Sequence, residues 1–361
     1  MFISRLVAMF RLFKRIRIAY RSFYTSNHML KNGRYRLSYD FRTFKLQDEH
    51  ICNISKDVIQ MPDVNKLFML VNKILPMLKV NNVVPNEIQG TLLYLSNDSD
   101  LKYNVKIFCF EAKTVCTVFY SDERYKICMQ NMDKTISLFP TVSMNYYDPE
   151  RRLICENLVE VIPKGEWTKT TYNKIYLMIL DTYMKYSDKV KYELKPFNRI
   201  YSKPVPEDDI TSILLKQINR DRVDEMPVAF IHNDLSLNNV LYTTKDSVLL
   251  IDWEHACIGP FYIDIFFCIL NEYMQYNNEH LLIQFFSGSF DDNLEKIFSN
   301  FGIEFGNFQK LTWIYLILLS IYLRSGVDKK SNKKIYHDFI DKCLTLEKGN
   351  LDEKDNNKCI C

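Results

Sequence analysis

The feature that most constrains this chain is a pair of short apolar strands, each running directly into a carboxylate. In F-I-H-N-D-L-S-L-N-N-V-L-Y, the apolar run from Val228 to Ile231 delivers His232, Asn233 and Asp234 to a loop, and Asn239 follows five residues after Asp234. In S-V-L-L-I-D-W-E-H-A, the run from Val248 to Ile251 ends in Asp252, thirteen residues beyond Asn239, with Glu254 and His255 close behind. Short apolar runs bounded by polar clusters read as buried strands. Two strand-end loops folded against each other then hold Asp234, Asn239 and Asp252 within a few ångströms.

That set of side chains suits phosphoryl transfer. The reaction leaves a protein little covalent work, so the protein positions the partners and neutralises phosphate charge. One carboxylate must accept or orient the proton of an acceptor hydroxyl. An amide oxygen and a second carboxylate must hold magnesium, which prefers hard oxygen ligands. Any one of these residues alone reads as an ordinary turn former.

The stretch H-x-D-x-x-x-x-N followed by I-D-x-E resembles the catalytic and metal loops of the aminoglycoside phosphotransferase and choline kinase superfamily. Its I-D-W-E ending is closer to that group than to protein kinases, whose second motif is D-F-G. The close match covers about residues 229–270. The resemblance implies an α+β, two-lobed protein-kinase-like fold, with a small antiparallel sheet in the N-lobe and a mainly helical C-lobe. It implies Asp234 as catalytic base, Asn239 and Asp252 as metal ligands, and Glu254 as a further acidic position serving metal or substrate. His232 and Asp264, the latter in G-P-F-Y-I-D-I, are implied as structural supports of the catalytic loop. Nucleotide contacts are implied around Glu156, Leu158, Val159 and Val161, where the backbone offers a donor and an acceptor and the apolar side chains give cover. The resemblance further implies ATP, or alternatively GTP, as co-substrate and Mg2+ as cofactor.

The sequence departs from the family in two places. Ser96 to Asp100 is a weak version of the phosphate loop, and T-V-C-T-V-F-Y puts Thr117 where a lysine normally reaches the phosphates. Lys106 and Lys113 are nearby alternatives, with Glu123 as candidate partner. The acceptor is a hydroxyl of a small molecule or glycan, with the sugar of a lipid-linked or surface polysaccharide precursor slightly favoured. Tyr262, Phe266, Phe267, Glu272 and Tyr273 instead suit a choline- or ethanolamine-type amino-alcohol, if they line a pocket, or a core helix, if they do not. A weakly catalytic, nucleotide-binding scaffold at a membrane is the reading from another class.

The rest of the 361 residues divides by pattern. Positions 1–39 hold nine Lys or Arg and no acid. On a helix, Arg11, Lys14, Arg15, Arg17 and Arg21 share one face, while Met9, Leu12, Phe13, Ile16, Tyr20 and Phe23 share the other. Residues 1–24 therefore read as a basic amphipathic helix that lies on an anionic membrane, targets an organelle, or packs on its own protein. Residues 25–84 form an extension with a hairpin at 34–47 and a helix at 64–78. Residues 85–162 give three strands, a helix and two strands, and residues 163–348 give long helices interrupted by the two loops. Residues 349–361 are polar and read as a disordered tail.

A net charge of +3 gives no sign of a nucleic-acid partner, and none is expected. No apolar run reaches the ~20 residues of a membrane-spanning helix. Ten scattered cysteines without a C-x-x-C pair exclude a zinc-site spacing and read as reduced thiols. The expected location is cytoplasmic or peripheral on a membrane, with an organelle as the alternative.

Overall fold

The computed structural model describes residues 2–38, 42–47, 77–81, 88–97, 103–196, 225–324 and 333–358, with single positions at 75, 214, 216 and 218. The chain divides into two compact units, Met1–Gln130 with Val142–Gly165 and Asn131–Thr141 with Glu166–Cys361.

The first unit is an eight-stranded antiparallel sheet. Its strands are β1 (Gly33–Leu37), β2 (Thr43–Leu46), β3 (Leu78–Val80), β4 (Leu92–Asn97), β5 (Tyr103–Cys109), β6 (Thr114–Val118), β7 (Met144–Asp148) and β8 (Leu153–Asn157), in the order β3-β1-β2-β4-β5-β6-β8-β7. Side-chain alternation along a strand sorts the residues between the faces. Tyr35, Leu37, Phe44, Leu93, Leu95, Val105, Ile107 and Leu153 turn to one face and form its core. Helix α1 (Phe2–Ser26) covers that face with Ala19 and Phe23, both buried, and with Ile16 and Tyr20. Phe23 packs against Phe44 at 4.6 Å and Tyr35 at 5.6 Å between ring centroids. From Ile16 onward the apolar stripe of the N-terminal helix is thus spent on the protein's own sheet. Gly90 lets the chain after α1 approach: its N–H donates to Met29 O and its carbonyl accepts from Lys31 N, while a Cβ there would lie 2.1 Å from Ile107 Cγ2.

Several expectations change here. The hairpin forms as β1 and β2 with Tyr35 opposite Leu46. Leu78, expected at a helix end, opens β3, because L-K-V alternates buried, exposed, buried. Leu75 and Met77 of that expected helix are described and are not helical; its remaining positions, like Ser96–Asp100 in its last three positions, lie outside the described residues. Cys116 and Cys155 were expected as reduced thiols, but they sit opposite each other across β6 and β8 and are joined as a disulfide. Lys106 stands directly opposite Thr117 across β5 and β6, whereas Lys113 falls in the turn between those strands and pairs with Glu160. Helix α2 (Asp122–Leu138) follows, with Glu123 exposed in its first turn.

The second unit is mainly helical. Its helices are α3 (Lys169–Ser187), α4 (Tyr262–Tyr276), α5 (His280–Phe286), α6 (Asp291–Asn300), α7 (Lys310–Arg324) and α8 (Lys333–Lys358). Trp313, fully buried, is ringed by Phe266, Phe298, Phe305 and Phe308 with centroids 4.5–6.0 Å away. Strands β9 (Glu193–Pro196), β10 (Glu225–Ile231) and β13 (Cys257–Pro260) form a small antiparallel sheet with β10 central. Strands β11 (Val240–Tyr242) and β12 (Val248–Leu250) form a hairpin. Of the helix expected at 208–220, Leu214, Lys216 and Ile218 are described and helical. The tail expected to be disordered from 349 is helical to Lys358, in keeping with the helix-forming run L-D-E-K.

Phe23→Ala removes the ring that joins α1 to the sheet. It is expected to destabilise the protein by about 3–5 kcal/mol, read as a lowered midpoint of urea unfolding. An unchanged midpoint would mean that α1 contributes nothing to the core.

Candidate active site

The two loops anticipated from the sequence are built on β10 and the β11–β12 hairpin. Every residue of β10 after Glu225 is buried, so its end is a fixed point. From there the chain turns at Asn233, whose φ of 69° lies in the left-handed region, through Asp234 to the short helical turn Leu237–Asn239. Buried donors and acceptors hold this loop in place. Asp264, 0% exposed at the start of α4, accepts from His232 N (2.6 Å) and Tyr183 Oη (2.6 Å) through Oδ2, and from Asn233 N (2.7 Å) through Oδ1. Burial lifts the Asp264 carboxyl above the ordinary carboxylate range, while the His232 ring and these donors pull it back. Tyr186 Oη donates to Phe230 O, and Cys268 Sγ donates to Leu235 O at 3.0 Å.

His232 ties the two loops together. Its Nε2 lies 2.7 Å from Ile251 O, so the ring carries its proton on Nε2 and donates it to that carbonyl. Ile251 N in turn donates to Asn239 O at 3.0 Å. The residue after Ile251 is Asp252, exposed and left-handed with φ 63°. The turn Trp253–His255 behind it is held by Asn131, whose Nδ2 donates to Trp253 O (3.0 Å) and Ala256 O (3.1 Å). Thr141 Oγ1 donates to Leu250 O at 2.8 Å.

Asp234 and Asn239 are in direct contact. Asn239 Nδ2 donates to Asp234 O at 2.7 Å and lies 3.4 Å from Asp234 Oδ2. Burial raises the Asp234 carboxyl pKa above its ordinary value; the His255 and His232 rings oppose this shift, and the Asp252 charge adds to it. Glu254 Oε1 lies 3.6 Å from His255 Nε2. Asp234, Asn239, Asp252, Glu254, His232 and Asp264 therefore lie on one scaffold in the second unit. Glu156, Leu158, Val159 and Val161 lie in the first unit, half-buried, at the end of β8 and in the chain after it, where Leu158 N donates to Lys113 O at 2.7 Å.

The donor chemistry fits a magnesium ion. The amide nitrogen of Asn239 is committed to Asp234 O, which leaves Oδ1 as its acceptor end, and Asp252 offers an exposed carboxylate. Among the described residues no group of three His, Cys, Asp or Glu side chains forms a complete metal cage. Magnesium needs none, since it is ordinarily held by one or two carboxylates together with water and substrate phosphates.

Asn131, Tyr183 and Cys268 are site residues that sequence reasoning missed. Asn131 and Tyr183 carry a faint signal, as polar groups within otherwise apolar helix faces. Of the proposed acceptor lining, Tyr262, Phe266 and Glu272 are 0% exposed and belong to the core, while Phe267 and Tyr273 are half-buried.

Residues 189–296 match the family model described as the phosphotransferase enzyme family. No curated protein matches the chain. Among solved structures, the choline kinase LicA from Streptococcus pneumoniae is similar at 13% identity and a TM-score of 0.40, covering 71% of this chain and 90% of that one. The aminoglycoside phosphotransferase APH(3'')-Id from Streptomyces rimosus is similar at 12% identity and a TM-score of 0.39, covering 63% and 91%. A thermostable mutant of the aminoglycoside phosphotransferase APH(4)-Ia, in a ternary complex with ADP and hygromycin B, is similar at 13% identity and a TM-score of 0.44, covering 72% and 94%.

Two outcomes follow from the hydrogen bonds and charges. Asp264→Asn replaces one acceptor oxygen with a donor and strands a buried N–H or O–H. It is expected to cost about 1–3 kcal/mol of stability, measured by urea unfolding. Asp234→Asn acts in the other direction. A carboxyl whose folded pKa is raised binds a proton more tightly in the folded state, so its ionised form opposes folding above that pKa, and the penalty fades as pH falls. Asp234→Asn is expected to raise the unfolding midpoint at neutral pH and to leave it unchanged at acid pH.

Proposed function

From the match of residues 189–296 to the phosphotransferase enzyme family model, we propose that the chain moves the terminal phosphate of ATP, or alternatively GTP, onto a hydroxyl of a small molecule or glycan. The observation that carries this reading is the direct contact between the Asp234 carboxylate and Asn239, on a loop tied through Ile251 to Asp252.

Asp234 takes the role of base. Its raised pKa makes the carboxylate a better proton acceptor than an exposed aspartate, and the side chain stays partly accessible. Asn239 Oδ1 and Asp252 hold Mg2+, with Glu254 at the edge of the set. Magnesium, when bound, supplies neutralisation of phosphate charge. The nucleotide base lies against Glu156, Leu158, Val159 and Val161. Lys106 takes the place of the missing lysine, since register puts it on the same sheet face as Thr117.

For the acceptor we favour a sugar hydroxyl, as in a lipid-linked or surface polysaccharide precursor. The burial of Tyr262, Phe266 and Glu272 removes most of the aromatic and acidic lining that a cationic amino-alcohol would use. No described helix is long and apolar enough to cross a membrane.

The test is ADP release across a panel of hydroxyl acceptors with magnesium present, using Asp234→Asn as the blank. Turnover is expected to drop by roughly 10²–10⁴ in the variant, the usual worth of a positioned base. The parent's rate is expected to fall on the acid side at a pH above the ~4 of an ordinary carboxylate. Equal release from parent and variant would remove Asp234 from the reaction. Magnesium-dependent thermal stabilisation by ATP with no turnover on any acceptor would leave a nucleotide-binding scaffold instead.

The lysine assignment has its own check. Lys106→Ala is expected to raise the KM for ATP, and adding Thr117→Lys to that variant to lower it again. If Lys106→Ala binds ATP as the parent does, another cation serves the phosphates.

A further inference from the structure

Helix α1 spends one face on the sheet and presents a second face that mixes cations with aromatic rings. The buried stripe is Ile16, Ala19, Tyr20 and Phe23. At about 100° per residue, Phe13, Lys14, Arg17, Arg21 and Tyr24 gather within roughly a quarter of the helix circumference on the flank beside that stripe, with Phe13 at the border between the two faces. All five are exposed, Phe13 by 60% and Tyr24 by 62%. Among the described residues, none of Lys14, Arg17 and Arg21 is paired with a carboxylate. The segment supplies no internal counter-ion, since residues 1–39 contain no acid.

We propose that this face of α1, built on Phe13, Lys14, Arg17, Arg21 and Tyr24, docks the protein on an anionic lipid bilayer. The charge is complementary to acidic headgroups, and the side-chain types match an interfacial helix: rings enter the headgroup boundary while long cationic chains reach the phosphates. From Ile16 onward, the apolar stripe that an amphipathic helix would ordinarily give to lipid is occupied by the sheet. Membrane contact therefore falls to the cationic and aromatic side and is reversible rather than deeply inserted. The proposal does not depend on the phosphotransfer reading.

The sheet itself supplies a control. Arg34 and Arg36 alternate with the core residues Tyr35 and Leu37, so they lie on the sheet face turned away from α1. Reversing them changes net charge by as much as reversing Arg17 and Arg21.

The experiment uses the full chain with phosphatidylcholine vesicles made with and without phosphatidylserine, read by co-sedimentation at low and high salt. The parent is expected to pellet only with phosphatidylserine present, and less so at high salt. Arg17→Glu with Arg21→Glu is expected to weaken binding by more than about 10-fold, since each cation near an anionic surface is worth about 5-fold. Arg34→Glu with Arg36→Glu is expected to weaken it by less than about 3-fold, the charge lying on the wrong face. Arg17→Gln with Arg21→Gln, which removes the two charges without reversing them, repeats the test should the reversal unfold the protein. Phe13→Trp adds a reporter whose emission is expected to shift blue on adding phosphatidylserine vesicles. Equal losses from the two reversals, an unshifted reporter, or binding to a nucleic acid in place of vesicles would each overturn the assignment.

Discussion

The carboxylate of Asp264 is the constraint from which the site is built. It is buried, which is costly for an ionisable group, and three donors from two distant parts of the chain converge on it. Two are consecutive backbone N–H groups, His232 and Asn233, at the point where β10 gives way to a left-handed turn. A buried backbone N–H must find a partner, and a strand end offers none from the sheet. The third donor, Tyr183, brings α3 to the same oxygen. This one side chain thus locks a strand end, two helices and the direction in which Asp234 leaves the strand. Strain at Asn233 persists because these bonds over-determine the turn.

Desolvation acts differently on the two aspartates. Both carboxyls are pushed above the usual range by burial. Asp264 is fully enclosed and spends both oxygens on fixed donors, which suits a support. Asp234 keeps partial access and one long contact to Asn239, which suits a group that must take up and release a proton. Their environments separate the roles that composition alone would leave alike.

The parts of this arrangement that were legible in the sequence are those set by short separations along the chain. Asp234 and Asn239 are five residues apart and share one turn, so their residue types at that spacing already implied a shared loop. The strands were legible for the same reason: alternation in R-Y-R-L and N-V-K-I-F-C is a local pattern. Asn131, more than a hundred residues from Trp253, was not legible, because only tertiary packing brings it to those carbonyls. The Cys116–Cys155 pair depends on register between strands separated by a helix, which composition does not contain. For α1 the amphipathic pattern was clear, but the pattern does not say whether sheet or lipid takes the apolar stripe. The short helix His280–Phe286 was hidden because seven mostly apolar residues fit a strand as well as a helix.

The His232–Ile251 hydrogen bond and the Ile251–Asn239 hydrogen bond together close the base of the β11–β12 hairpin. Beyond that double tie Tyr242, Thr243 and Val248 are buried and Asp246 is held by Lys174 and Tyr242, whereas Thr244 and Lys245 at the very tip are exposed and outside these bonds. A change of length or sequence confined to those two residues consequently leaves the spacing of the oxygen-bearing groups below it as it is.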